Sequence, residues 1–276
     1  MAGDDGAQHQ YVGGQMRPAF GALLADFEQC SATALAREPC TLDIRYGERE
    51  RETFDFFPSR THARATLAFF HASYWQSRDK ATFRWLAPMF TPRGLHVALV
   101  NYALCPSVTL RELVEGAMGS APAVRRHAAN ADGRDLPLIV AGHSAGAHLA
   151  AEIGLAGRAD GVVGVSGIYD LAPLVGTTLN DKLRLDEARA RAMSPLHRVR
   201  AGSPPALFIV GADETRAFIE QNRRMHEAWR AAGSASEEQV VLQADHFTVL
   251  QAFAAPEGAV ADAIESVVER GEARCR

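Results

Sequence analysis

The sequence predicts an α/β fold in which helices cover both faces of a mostly parallel sheet. Short apolar segments alternate with longer segments of helical periodicity, as expected for repeated strand–helix units. The apolar segments are unbroken, without the polar and apolar alternation of half-exposed strands, which indicates strands buried on both faces. The length of 276 residues, 47% of them hydrophobic, suits one sheet. We therefore expect a single domain over residues 1–276.

The predicted elements begin with a hairpin and continue as strands separated by helices. Residues 41–46 and 52–57 are β-rich and are separated by Gly47 and a charged turn, which predicts the hairpin. The later strands are predicted at residues 65–70, 95–100, 136–141, 161–165, 207–210 and 239–242. The helices are predicted at residues 108–127, 145–155, 215–232 and 257–269. This order is typical of a doubly wound parallel sheet whose first strands along the chain are antiparallel.

One internal segment and both ends fall outside this alternation. Residues 170–200 have helical patches and no strand, so we expect an insertion over the sheet. It is either a cap that shapes a pocket or a solvated surface excursion. Residues 1–20 are Gly-rich and residues 270–276 are charged, and both ends are expected to be frayed.

Composition argues against several classes of partner and location. The 29 Lys and Arg residues against 33 Asp and Glu give a net charge of -4, which argues against nucleic-acid and membrane partners. The start of the chain lacks a secretory signal and no run of eighteen apolar residues occurs, so a cytoplasmic location is expected. The cysteines form no C-x-x-C pair and are expected to be reduced, mostly structural thiols: Cys30, Cys40, Cys105 and Cys275.

The strongest motif is G-x-S-x-G at residues 142–146, between a predicted strand and a predicted helix. In this context a sharp turn presents the central Ser144 as a nucleophile, and the small flanking residues let the turn pass its neighbours. The backbone N–H of Ala145 is expected to face a developing oxyanion. A plain turn is the alternative, and His143 is expected to be a spacer within the motif.

A serine hydroxyl is a weak nucleophile and therefore needs a base. His246 is the candidate because it lies in a short polar loop after the last predicted strand, whereas His71 and His148 are expected to have structural roles. Two adjacent acids, Asp213 and Glu214, follow an earlier predicted strand, and either of them could orient the imidazole. The spacing after the preceding glycine favours Glu214, and the unused acid is expected at the start of the next helix. The chain order serine, acid, histidine matches α/β enzymes with this motif.

The loop after the strand at residues 65–70 is expected to supply the second oxyanion donor. The backbone N–H of Ser73 or Tyr74 would join that of Ala145. Tyr74 and Trp75 are also candidates for the wall of a site that binds an aromatic substrate, with core packing as the alternative.

With these residues assembled, the sequence resembles the α/β-hydrolase superfamily, and within it the esterase and kynurenine formamidase (arylformamidase) branch. The resemblance covers roughly residues 46–253. The segment at 71–76 reads H-A-S-Y-W-Q where the branch has H-G-G-Y-W-Q. Four further stretches are similar to family motifs: residues 101–106 (N-Y-A-L-C-P), 166–171 (S-G-I-Y-D-L), 194–196 (S-P-L) and 218–221 (F-I-E-Q).

The resemblance implies a serine hydrolase that needs no cofactor and removes a small acyl group, formyl or acetyl, from an aryl amide or ester such as N-formylkynurenine. The expected partner is a small-molecule substrate, no metal motif is present, and a homodimer is left open. A general short-chain carboxylesterase and a catalytically silent hydrolase-fold binding protein remain alternatives.

The sequence departs from the family pattern at two places. Ala72 and Ser73 replace the loop glycines, and a Cβ there restricts the backbone and crowds the oxyanion. Glu214 stands where many relatives have aspartate, although a longer side chain can still hold an imidazole.

Overall fold

The computed structural model describes residues 6–15 and 18–275. These residues form an eight-stranded sheet with the order β1-β2-β4-β3-β5-β6-β7-β8. The strands are β1 (Thr41–Arg45), β2 (Thr53–Phe57), β3 (Ala65–Phe70), β4 (Leu95–Val100), β5 (Leu138–His143), β6 (Gly161–Val165), β7 (Ala206–Gly211) and β8 (Ser236–Val241). Only β2 pairs antiparallel to its neighbours β1 and β4, and the other pairs are parallel. The predicted hairpin and mostly parallel sheet are confirmed.

Helices connect and flank the strands. The α-helices are α1 (Ala7–Tyr11), α2 (Phe20–Arg37), α3 (Ala87–Phe90), α4 (Leu110–Met118), α5 (Ser120–Asp132), α6 (Ala145–Leu155), α7 (Asn180–Leu183), α8 (Glu187–Ala192), α9 (Arg216–Ala231), α10 (Val249–Ala254) and α11 (Ala259–Cys275). Short 3₁₀ segments occur at Gly13–Gln15, Lys80–Leu86, Thr91–Arg93, Ala172–Gly176 and Pro195–Arg198. The single helix predicted at 108–127 is two helices in the structure, because the helix is interrupted at Gly119.

The sheet separates two apolar cores. Helices α4, α5, α6 and α9 pack on one face, and α2, α3, α10 and α11 pack on the other. Every residue of strands β2 to β7 is buried, whereas the edge strands β1 and β8 are largely exposed or half-buried. Burial on both faces explains why the inner strands show unbroken apolar runs.

Helix α2 was not predicted from the sequence. It buries only a narrow stripe, Phe27, Ser31 and Ala34, so most of its surface is exposed. This stripe packs on the segment after β3, where the ring of Phe27 stacks on that of Trp85 at 4.8 Å between centroids. Three buried positions in five turns give a weak periodic signal in the sequence. The surface on which α2 packs is formed by a segment that is distant in the chain, so it is not visible in the local sequence.

The insertion at residues 170–200 is helical and contains no strand. Its buried side chains Leu174, Leu183 and Ala190 join the core on the face of α4 to α6. At its end, His148 Nε2 on α6 donates to the carbonyl oxygen of Met193 at 2.8 Å. The insertion is therefore packed directly on the helix that follows the G-x-S-x-G motif.

The chain ends were expected to be frayed over residues 1–20 and 270–276. The described parts of these segments are largely helical, with α1 near the start and α11 extending to Cys275. Residues 1–5, 16–17 and 276 lie outside the described residues. Over the described ranges, no helix combines the length and apolarity needed to cross a membrane, and the four cysteines are free thiols.

Two glycines allow the turn between β5 and α6 to form. A Cβ on Gly146 would lie 1.9 Å from the carbonyl oxygen of Phe70, and one on Gly142 would lie 2.1 Å from that of Gly146. We expect Gly146→Ala to lower the free energy of unfolding by about 3 kcal/mol, because backbone atoms must move apart. Urea unfolding measures this, with Gly176→Ala as control because its Cβ would meet no atom within 4 Å. Equal losses in both variants would contradict this account of the turn.

Candidate active site

Ser144 occupies the turn between the last residue of β5 and the first residue of α6. Its φ of +56° lies in the left-handed region, which costs a non-glycine residue about 1 to 3 kcal/mol. Its backbone N–H bonds to the carbonyl oxygen of Val165 at 2.8 Å, which ties the turn to β6. The strained turn places the hydroxyl at the carboxyl edge of the sheet, where Ser144 is 2% exposed.

His246 and Glu214 lie next to this hydroxyl. His246 Nε2 is 3.2 Å from Ser144 Oγ, and His246 Nδ1 is 2.8 Å from Glu214 Oε2. Because a carboxylate only accepts, Nδ1–H donates to Glu214 and Nε2 is left to accept from the serine hydroxyl. The side chains of His246 and Glu214 are 3% and 0% exposed. The hydrogen bonds therefore form a continuous chain, largely screened from solvent, from hydroxyl to carboxylate.

Asp213 is the other acid that the sequence offered for this position. The structure brings Glu214 and not Asp213 to the imidazole. The backbone N–H of Glu214 bonds to the carbonyl oxygen of Gly211 at 3.3 Å, and that of Asp213 bonds to the carbonyl oxygen of Ala244 at 2.9 Å. Asp213 is exposed, whereas Glu214 is buried against His246.

The buried carboxylate of Glu214 has donors on both oxygens. Oε2 accepts from His246, and Oε1 accepts from the backbone N–H of Gly211 at 2.8 Å and from Ser166 Oγ at 2.5 Å. A buried charge is tolerated only when it is paired and hydrogen-bonded in this way. Both oxygens of the buried carboxylate are therefore satisfied by hydrogen bonds.

The loop predicted to supply oxyanion donors follows β3 and has an unusual backbone. Ser73, Tyr74 and Trp75 have φ of +153°, +52° and +62°. Tyr74 Oη donates to the carbonyl oxygen of Tyr11 at 2.5 Å, and Ser73 Oγ lies 3.3 Å from Tyr102 Oη. These contacts hold conformations that glycine would adopt without strain. Ala145 is the first residue of α6, so its N–H has no intrahelical partner.

The expectation for Trp75 as a substrate wall requires correction. Its side chain is 0% exposed and its ring packs edge-on against that of His148 at 5.1 Å between centroids. Trp75 therefore belongs to the core in this structure. Of the predicted aromatic pair, only Tyr74 is partly exposed.

The N-terminal segment, residues 6–15, contacts the site although its sequence carries no motif that indicates a role there. The ring of Tyr11 packs on that of Phe218 at 5.6 Å, and the ring of Phe218 lies 4.3 Å from that of His246. The carbonyl oxygen of Gln10 accepts from Thr215 Oγ1 at 2.7 Å, directly after Glu214. No local signal reveals these contacts, because their partners lie about two hundred residues away.

Gln221, which lies in the F-x-x-Q stretch, joins the N-terminal segment to the insertion. Its Oε1 accepts from the backbone N–H of Tyr169 at 2.9 Å and of Asp170 at 2.8 Å. Its Nε2 donates to Tyr11 Oη at 2.9 Å. The glutamine side chain thus uses both ends to fix the beginning of the insertion beside the site.

His143 is more than a spacer. Burial holds its pKa well below the ordinary value, so the ring is neutral. Its Nε2–H donates to the carbonyl oxygen of His246 at 2.6 Å, and the two rings lie 4.8 Å apart. The residue before the serine therefore positions the loop that carries the imidazole.

His71 is a structural residue of the loop after β3, as predicted from the sequence. Burial lowers its pKa from 6.5 to about 4, and its ring stacks on that of Tyr102 at 4.4 Å. The unfolded chain therefore takes up a proton below pH 6.5, whereas the folded protein does not until about pH 4. The contribution of the neutral His71 ring to the free energy of unfolding is fully present above pH 6.5. It is lost as the pH falls toward 4, which lowers the free energy of unfolding by about 3 kcal/mol.

We expect the free energy of unfolding to fall less steeply between pH 6.5 and 4 in His71→Gln than in the native protein. Urea unfolding at several pH values measures the two slopes. His62→Gln, which removes an exposed imidazole, is the control and should keep the native slope. Parallel curves for His71→Gln and the native protein would show that His71 does not carry this dependence.

The described residues contain no group of three or more His, Cys, Asp or Glu side chains arranged to hold a metal ion. What the site offers chemically is a hydroxyl, an imidazole and a buried carboxylate in hydrogen-bonded sequence.

Comparisons with known proteins show which proteins the whole chain is similar to. A family described as having the alpha/beta hydrolase fold matches residues 67–194. The kynurenine formamidase of Danio rerio is 29% identical over 225 residues, 76% of this chain and 75% of that protein. The kynurenine formamidase of Drosophila melanogaster is 29% identical over 234 residues, 78% and 77% of the two chains.

Solved structures agree with these sequence relationships. The crystal structure of a protein from Silicibacter sp. TM1040 has a TM-score of 0.83 at 27% identity and covers 94% of this chain and 98% of its own. A Pyrobaculum calidifontis esterase has a TM-score of 0.69 at 18% identity, covering 95% of both chains, and supports the fold alone. The chain therefore has the α/β-hydrolase fold, and these similarities support a hydrolase of the branch that contains the esterases and the kynurenine formamidases.

Proposed function

We propose that this hydrolase is a serine enzyme that removes a small acyl group, formyl or acetyl, from an aryl amide or ester. Ser144 is the nucleophile, His246 the general base and Glu214 the acid that orients the imidazole. The observation that carries the proposal is the hydrogen-bonded sequence from Ser144 Oγ through both nitrogens of His246 to Glu214 Oε2.

The proposed reaction begins when Ser144 Oγ attacks the acyl carbonyl and His246 Nε2 takes the hydroxyl proton. The resulting imidazolium is stabilised by the carboxylate of Glu214, and its proton then passes to the leaving amine or alcohol. Water next loses a proton to the same nitrogen and attacks the acyl-enzyme. The bond between Ser144 Oγ and the acyl carbon then breaks, and Oγ takes the proton back from His246 as the acid is released.

Charge on the carbonyl oxygen is stabilised by backbone N–H groups in this scheme. Ala145 supplies one donor, since the first N–H of α6 has no intrahelical partner. Ser73 or Tyr74 supplies the second from the loop after β3. A donor of this kind contributes about 3 to 4 kcal/mol to the transition state.

Two observations support a small acyl group on an aryl leaving group. Two aligned relatives are named kynurenine formamidases, and Ser144 and His246 are each only 2% exposed, which leaves little room beside the nucleophile. The partly exposed Tyr74 is proposed as the aromatic surface that the leaving group contacts. The same catalytic residues also suit a general short-chain carboxylesterase.

The test is a steady-state comparison of N-formylkynurenine with p-nitrophenyl acetate and p-nitrophenyl hexanoate, using native protein and Ser144→Ala. We expect Ser144-dependent turnover, the highest kcat/KM for the formamide and the lowest for the hexanoate. A higher kcat/KM for the acetate than for the formamide would favour the carboxylesterase. No turnover of any of the three would contradict the proposal.

A further inference from the structure

Ser166 is a buried hydroxyl at the site to which no role has been assigned. It follows the last residue of β6, is 0% exposed, and donates from Oγ to Glu214 Oε1 at 2.5 Å. The backbone N–H of Gly211, at the end of β7, donates to the same oxygen at 2.8 Å. The ends of two adjacent strands therefore hold the oxygen that faces away from His246.

The backbone at Ser166 is strained and is held by a hydrogen bond to the neighbouring strand. Its φ of +49° is in the left-handed region that glycine favours, and its N–H bonds to the carbonyl oxygen of Ile209 at 2.7 Å. A non-glycine residue that is held in such a strained backbone conformation often has a functional side chain, which suggests a role for the Ser166 hydroxyl. Within the described residues, the Ser166 hydroxyl bonds to the carboxylate of Glu214.

Glutamate in this position needs more restraint than aspartate. Its extra methylene adds a rotatable bond between the backbone and the carboxylate, so the group can turn away from the imidazole unless its second oxygen is held. Gly211 N–H alone restrains the oxygen from one side. The Ser166 hydroxyl adds the second restraint, from the neighbouring strand.

We propose that Ser166 is a positioning residue, a fourth member of the hydrogen-bonded chain that locks Glu214 onto His246 Nδ1. This inference rests on the proposed function of Ser144, His246 and Glu214. Ser166 touches no reacting atom. Its effect is on kcat, because the imidazolium that forms during the reaction needs the carboxylate in place, and not on substrate binding.

The test compares Ser166→Ala and Ser166→Gly with the native protein. Alanine keeps the backbone strain and the Cβ and removes only the hydroxyl, whereas glycine also relieves the strain and protects folding. We expect both variants to lower kcat for p-nitrophenyl acetate by roughly ten- to hundred-fold, with KM changed less than about two-fold. Equal kcat in the native protein and both variants would overturn the proposal.

Tyr169→Phe is the matched control. Tyr169 Oη is buried near Glu214 without a hydrogen-bond partner among the described residues, and the charge of Glu214 adds to burial in raising the Tyr169 pKa. Removing that hydroxyl should leave kcat unchanged. If Tyr169→Phe lowered kcat as much as Ser166→Ala, the effect would not be specific to the hydrogen bond with Glu214, and the proposed role of Ser166 would be contradicted.

A second readout separates this inference from the proposed function. The low-field proton resonance of His246 Nδ1–H reports the bond to Glu214 directly and should shift or broaden in both Ser166 variants but not in Tyr169→Phe. If native protein shows no Ser144-dependent turnover, the proposed function fails, yet the resonance still tests Ser166. An unchanged resonance in the Ser166 variants would refute its positioning role.

Discussion

Replacing Ser144 by alanine is expected to lower kcat for the best substrate by at least about 10,000-fold, since no hydroxyl is left beside His246 to attack the carbonyl and form an acyl-enzyme. Steady-state kinetics with p-nitrophenyl acetate and N-formylkynurenine measures the loss. KM should change little where it reports binding, because the acyl group still contacts the backbone donors.

The control for this variant is Ser203→Ala. Ser203 is a buried serine before the first residue of β7, at the opposite end of that strand from the site, and its hydroxyl donates to the carbonyl oxygen of Arg200. Its loss should leave kcat within about two-fold of the native value. A Ser144→Ala enzyme with more than about a tenth of native kcat would require another nucleophile.

The second large effect is expected at Glu214. Glu214→Gln should lower kcat by roughly 1,000- to 10,000-fold, because an amide in contact with His246 Nδ1 favours the wrong imidazole tautomer and cannot stabilise the imidazolium. Asp213→Asn is the matched control one residue away, and its exposed side chain predicts less than about a three-fold change. The reverse ranking would assign the acid to Asp213 and contradict the geometry.

The sequence predicted the central part of this site because the signals are local. A G-x-S-x-G turn between an apolar run and a helix identifies Ser144, and parallel strands bring the loops that carry His246 and Glu214 to the same edge. The choice between Asp213 and Glu214 depended on which way two consecutive side chains point in one turn. That direction depends on the backbone conformation of the turn and is not visible in the residue types.

Other features depended on tertiary contacts. Tyr11 was expected in a frayed end, yet it is 5% exposed because Gln221 and Phe218, more than two hundred residues away, provide its partners. Trp75 was a candidate substrate wall, but packing against His148 makes it a core residue. An aromatic residue after a strand is compatible with either role until its neighbours are known.

The most direct test of the central claim is to treat the native protein with a fluorophosphonate and locate the adduct by peptide mass spectrometry. We predict one adduct, on Ser144, that forms much more slowly in His246→Ala, because the imidazole no longer takes the hydroxyl proton. Unfolded protein is the control and should not react. An adduct on another residue, or none on native protein that is folded, would contradict the assignment of Ser144 as the nucleophile.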